Sequence, residues 1–153
     1  MLSDRAPHLD PALLAAANIN PVTGLATDYL NHFNEVAMLV DMVESMPEVV
    51  EDILAWRPRS YGDHFHVTGF RDKDLAIEAY EAADAELRAA FEAACDLIAD
   101  DILDLQEAIH ANRPVDSSAR AASLYASIAQ AGRFIEGGGE THTDQADIDA
   151  LFD

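Results

Sequence analysis

From Tyr29 onward, large apolar residues return at alternating steps of four and three: Tyr29, Phe33, Val36, Val40 and Val43. That spacing lines up side chains along one stripe of an α-helix. Leu30 and Ala37 widen the stripe. A second series (Leu87, Phe91, Ala94, Ile98, Ile102, Leu105, Ile109) and a third (Ala121, Tyr125, Ile128, Ile135) follow the same rule. No segment sustains the two-residue alternation of a half-buried strand. Much of the 50% hydrophobic content is alanine, a strong helix former, and only 7% of residues are aromatic. The pattern predicts an all-α bundle of four to five helices, with Phe33, Val40, Phe91 and Ile98 at the centre of its core.

Helix punctuation divides the 153 residues. Residues 1–22 read as a flexible N-terminal segment, in which Asp10-Pro11 starts a short helix through Ala17 and Asn18 to Pro21 break it. The bundle domain spans 23–136. Its first long helix begins near Thr23 or Gly24, and Pro47 both ends it and opens the next, which runs to about Arg57 with Val49, Val50, Ile53 and Leu54 inward. Residues 58–71 hold Pro58, Gly62 and Gly69 among aromatics and read as a loop packed on the bundle. Helix resumes at Asp72 and continues to about Ala111, with Asp84 as an interruption. Arg113-Pro114 stops it, and Asp116 or Ser117 caps the last bundle helix. The run Gly137-Gly138-Gly139 then joins the bundle to a C-terminal segment, so 137–153 reads as linker and tethered, helix-forming tail.

Charge narrows the range of partners. The 29 acidic and 9 basic side chains leave a formal net charge of -20. A surface of that sign repels phosphate backbones and anionic lipid heads, so neither nucleic acid nor a membrane surface is an expected partner. Basic-faced proteins are, and a second copy of the chain is a further option. The acidic face Asp96, Asp100, Asp104 and Glu107 reads as solvated. Cys95 is the only cysteine; it precludes an intramolecular disulfide and, in its alanine-rich run, reads as a buried structural thiol. The N-terminal residues lack the pattern of a signal peptide, and no stretch approaches the roughly 20 apolar residues of a membrane span. The expected location is the cytoplasm.

The C-terminal segment carries the most specific pattern. Ile148, Leu151 and Phe152 stand at i, i+3 and i+4, on one side of a short helix, with Asp144 and Asp147 where the helix dipole favours acids. A segment this short is not stably helical alone, but a tethered acidic-apolar segment that folds on docking is a known recognition mode. Gln145-Ala146-Asp147-Ile148-Asp149-Ala150-Leu151-Phe152 resembles the segment with which the bacterial flagellar motor switch protein captures the phosphorylated chemotaxis response regulator. Asp144 replaces that family's serine, Asp147 its glutamate and Phe152 its last leucine. The resemblance implies a regulatory binding or adaptor protein that engages a response-regulator receiver domain through Gln145, Asp147, Ile148, Asp149, Leu151 and Phe152. Separately, the stretch Gly24 to Glu35 with Tyr61-Gly62-Asp63-His64-Phe65 resembles a group of uncharacterised alphaproteobacterial proteins of similar size. This second resemblance implies a bacterial source and a helical fold, without an activity.

Two chemical alternatives accompany the docking reading. Chemotaxis phosphatases place an acid and an amide on one helix face, where the amide orients the water that attacks an aspartyl phosphate. Asp28 and Asn31, three apart, have a comparable spacing, with aspartate where one such class has glutamate. They are the candidate catalytic pair, though an acid and an amide three apart are also common on solvated helices. For a metal, Glu107-Ala108-Ile109-His110 occurs as a single Glu-x-x-His copy, and His32 and Glu35 have the reverse order. His64 and His66 share a face only if their loop is extended. No set of three or four ligands has the usual spacing, so no metal and no cofactor is expected. A third reading is a structural or oligomer-forming bundle without a signalling role.

Overall fold

The structure is a computed structural model that describes residues 9–137. The chain in this range is helical, with no sheet and one isolated β-bridge, Ile19 to Ala26. Seven α-helices follow in order: α1 Pro11–Ala16, α2 Asn31–Met42, α3 Val50–Ala55, α4 Tyr61–Thr68, α5 Lys73–Ala82, α6 Ala85–His110 and α7 Ser117–Ile135. Short 3-10 turns, Thr27–Leu30 and Pro47–Val49, lead into α2 and α3. The all-α expectation holds, but four to five helices is corrected to seven.

Four of the seven helices begin at a side-chain cap. Asp10 caps α1 by accepting from the Ala12 amide at 2.8 Å, with proline in the first turn. Asp84 accepts from the Leu87 amide at 2.9 Å and so divides the run after Asp72 into α5 and α6. Asp116 does the same for α7 through the Ala119 amide at 3.1 Å. The main difference is α4, expected as loop. Ser60 accepts from the Asp63 amide at 3.1 Å to start it, and Gly69, at φ 69°, ends it in the left-handed conformation that glycine adopts without a Cβ penalty.

The long helices make the core. α7 packs against both α2 and α6, presenting Ala121, Leu124, Ile128, Ala131 and Ile135 at helical spacing. The expected centres Phe33, Val40, Phe91 and Ile98 are all buried. Tyr125 was expected inward and instead faces outward, 38% exposed, because Leu124 takes the core position beside it.

The N-terminal segment differs further from expectation. Of residues 1–22, those from Leu9 onward are described, and they are packed: Leu9, Leu14, Ala17 and Ile19 are buried. The Asn20 side chain accepts from the amides of Val22 and Thr23, shaping a tight turn. Gly24, at φ 76°, lies so close to α5 that a Cβ there would stand 2.8 Å from the Ala79 carbonyl oxygen. The Thr23 hydroxyl then donates to the Ile135 carbonyl at 2.7 Å, fastening this loop to the last turn of α7.

Candidate functional site

Asp28 and Asn31 straddle the junction between the 3-10 turn and α2. The Asn31 side-chain amide donates to Asp28 Oδ1 at 3.3 Å. His64, brought in by α4, donates from Nε2 to Asp28 Oδ2 at 2.9 Å. The carboxylate is thus held at both oxygens, from an exposed amide on one side and a buried imidazole on the other. His64 is 3% exposed and the Asp28 side chain 33% exposed. The carboxylate fixes the hydrogen on His64 Nε2. Its Nδ1 is buried and makes no hydrogen bond to the described residues.

Asp28 and Asn31 open onto a cleft of about 450 Å³. Asn18, Asn20 and Thr27 add polar groups to its wall, and Ile135 and Glu136 close one side. An acid and an amide that face solvent together can accept from and donate to one water or hydroxyl. The two candidate residues are therefore brought together, and the structure adds His64, which the sequence pointed to for a different chemistry.

That other chemistry is corrected by α4. In a helix, residues two apart point to nearly opposite sides. His64 is buried and His66 is exposed, so the pair shares no face. Glu107 and His110 are exposed near the end of α6. Among the described residues, no group of three or more His, Cys, Asp or Glu side chains converges as a metal site.

A second histidine is structural. His32 is 4% exposed and donates from Nε2 to the Arg57 carbonyl at 2.7 Å. Trp56 stacks on it with ring centres 4.8 Å apart, and its indole N–H donates to the His32 carbonyl at 3.0 Å. Burial, joined by the charge of Arg59 and by His64, pushes the His32 imidazole down to about 4 despite the carbonyl bond, so it is neutral at pH 7. Gln106 on α6 completes this region. Its buried amide donates to the carbonyls of Ile53 and Trp56, both at 2.9 Å, tying the end of α3 to the long helix.

Cys95 is buried, and burial together with the charges of Asp96 and Glu92 pushes its thiol up to about 12, which leaves it unreactive. Asp96, Asp100, Asp104 and Glu107 are exposed. Arg120 reaches Asp104 at 3.3 Å and Asp101 at 3.6 Å, surface pairs of small energetic weight. No helix among the described residues is long and apolar enough to cross a membrane. The expected partner-binding residues, Gln145, Asp147, Ile148, Asp149, Leu151 and Phe152, lie outside the described residues.

Comparison with protein-family models, curated proteins and solved structures finds no match to the chain.

Proposed function

We propose that this chain is a regulatory binding protein that docks a receiver-domain partner through its C-terminal segment. The observation that carries the reading is the apolar trio Ile148, Leu151 and Phe152 at helical spacing among acids, in a segment that follows the glycine run after α7. Apolar anchors supply affinity, and the acids suit a basic docking face. Ordering such a segment costs about 1–2 kcal/mol per residue in backbone entropy, so net binding is modest, in the micromolar to tens of micromolar range.

The test is a fluorescence anisotropy titration of residues 140–153 against phosphorylated and unphosphorylated receiver domains of the source organism. The expected result is binding that tightens on phosphorylation and is abolished by Leu151→Ala with Phe152→Ala. Removal of the acids weakens binding and flattens its salt dependence. Dissociation constants all above about a millimolar, or equal binding by the double variant, defeat the reading.

A second reading, an aspartyl-phosphate phosphatase, is favoured by the cleft that holds Asp28 and Asn31. Ile135 and Glu136, the residues from which the C-terminal segment departs, form part of that cleft's wall. A partner captured by the segment would be held beside the acid and the amide, at high effective concentration. Regulator dephosphorylation that speeds up with the intact chain, and loses its acceleration in Asn31→Ala, distinguishes phosphatase from adaptor.

A further inference from the structure

At the end of the bundle away from the Asp28 cleft, α2, α3, α6 and the turn before α7 leave a groove of about 510 Å³. Its walls are mainly apolar, formed by Val40, Val43, Val50, Ile53, Ile109 and Val115, and Glu44 also lines it, its carboxylate accepting from the Ser117 hydroxyl at 3.0 Å. Val43, Val50, Ile109 and Val115 are only half-buried, so the groove presents apolar surface that the described residues leave uncovered. Arg113 stands at its rim. That guanidinium has one acidic contact, 3.9 Å from an exposed Glu107.

We propose that this groove is the resting seat of the chain's own C-terminal segment, with Ile148, Leu151 and Phe152 entering it and the neighbouring aspartates facing Arg113. Seated there, the segment is withheld from its partner. The inference rests on the docking reading above and adds its regulation: partner and groove compete for one apolar face.

Three observations select this occupant. The first is chemistry, since the groove offers mainly apolar walls, with the Glu44 carboxylate engaged by Ser117 and the Arg113 cation at the rim, and the segment offers an apolar trio flanked by Asp147, Asp149 and Asp153. The second is reach. Ser117, in the groove wall, and Ile135 are the first and last residues of α7, separated by about 27 Å at about 1.5 Å per residue. Residues 136–147, when extended, span up to about 40 Å at about 3.3 Å per residue, which covers the return path. The third is attachment: a tethered segment meets the groove at an effective concentration that a free partner of equal affinity does not match.

The test uses the full chain with labelled valine and isoleucine methyl groups. Leu151→Ala with Phe152→Ala lies outside the bundle, so it reads the seat without disturbing the core. The expected result is a shift of the methyl resonances of Val43, Val50, Ile109 and Val115, with Ile98 unchanged and no dependence on protein concentration. Unchanged groove resonances overturn the proposal, and so does a shift that grows with concentration, which would place a second copy's segment in the groove. In a second arm, Arg113→Glu repels the acidic segment. This full-length variant is expected to bind a receiver domain about three- to tenfold more tightly than the unaltered chain, because a larger fraction of segments is free. Equal affinity overturns the competition. If neither protein binds any receiver domain, the docking reading falls, and the methyl comparison alone decides the seat.

Discussion

Replacing Gln106 by glutamate keeps the shape of the side chain and reverses its hydrogen bonding. In the native protein the amide NH₂ gives one hydrogen to the Ile53 carbonyl and one to the Trp56 carbonyl, each at 2.9 Å, within a 7%-exposed site. A carboxylate there has no hydrogen to give and turns negative oxygens toward two carbonyl oxygens. Neither carbonyl is orphaned by the change, because Ile53 O also accepts from the Trp56 amide and Trp56 O from Arg57 Nη1. Losing the two bonds alone, as in Gln106→Leu, therefore costs about 1–3 kcal/mol, the net worth of two neutral hydrogen bonds. A buried uncompensated charge adds to this, so Gln106→Glu is expected to cost about 3–5 kcal/mol at pH 7.5. At pH 5 a protonated acid restores one donor, and part of the loss returns. The assay is urea denaturation followed by circular dichroism at both pH values, with Gln106→Leu as the control that carries the background pH dependence of the fold. Equal stability of the two variants at pH 7.5, or a gap between them that does not narrow at pH 5, would refute the assignment of Gln106 as the donor that ties α3 to α6.

Phe91, 1% exposed where it meets the Tyr29 and Tyr61 rings, is expected to cost about 3–5 kcal/mol as Phe91→Ala, read from the urea midpoint. Acid should weaken the fold through His32: its folded value of about 4 lies below the ordinary 6.5, so the unfolded chain takes up the proton first and stability falls between pH 6.5 and 4. The full effect is up to about 3 kcal/mol. His32→Gln, which retains a donor for the Arg57 carbonyl, should remove that slope while leaving the carboxylate titrations of this acidic chain in place; an unchanged slope would rule His32 out as its source.

The sequence announced the long helices well, because their stripes are long enough to average out local exceptions. Phe33, Val40, Phe91 and Ile98 are buried as their spacing requires, and Asp10, Asp84 and Asp116 cap where aspartate is favoured. Short elements were harder to see. In α4 the start and stop signals, Ser60 with Asp63 and then Gly69, were present in the sequence, but Gly62 and a low-propensity run of aromatics and histidines weighed toward loop. The burial of Leu9, Leu14 and Ile19 was not legible locally, since the six residues of α1 are too few to show an apolar stripe. The candidate site was half legible. Asp28 and Asn31 announced themselves by spacing within one turn, whereas their partner His64 lies 36 residues from Asp28 and depends on how α4 docks.

The hydrogen bond from Thr23 to the carbonyl of Ile135 joins residues 112 positions apart. During synthesis the loop that carries Thr23 leaves the ribosome long before the final turn of α7 exists, so the earliest-made part of the core must wait for the latest. Until then Ile19, which shares a cleft wall with Ile135, lacks part of its native surroundings. This one bond can therefore form only after the whole described core has been made, so it belongs to the completed fold and to no shorter part of the chain.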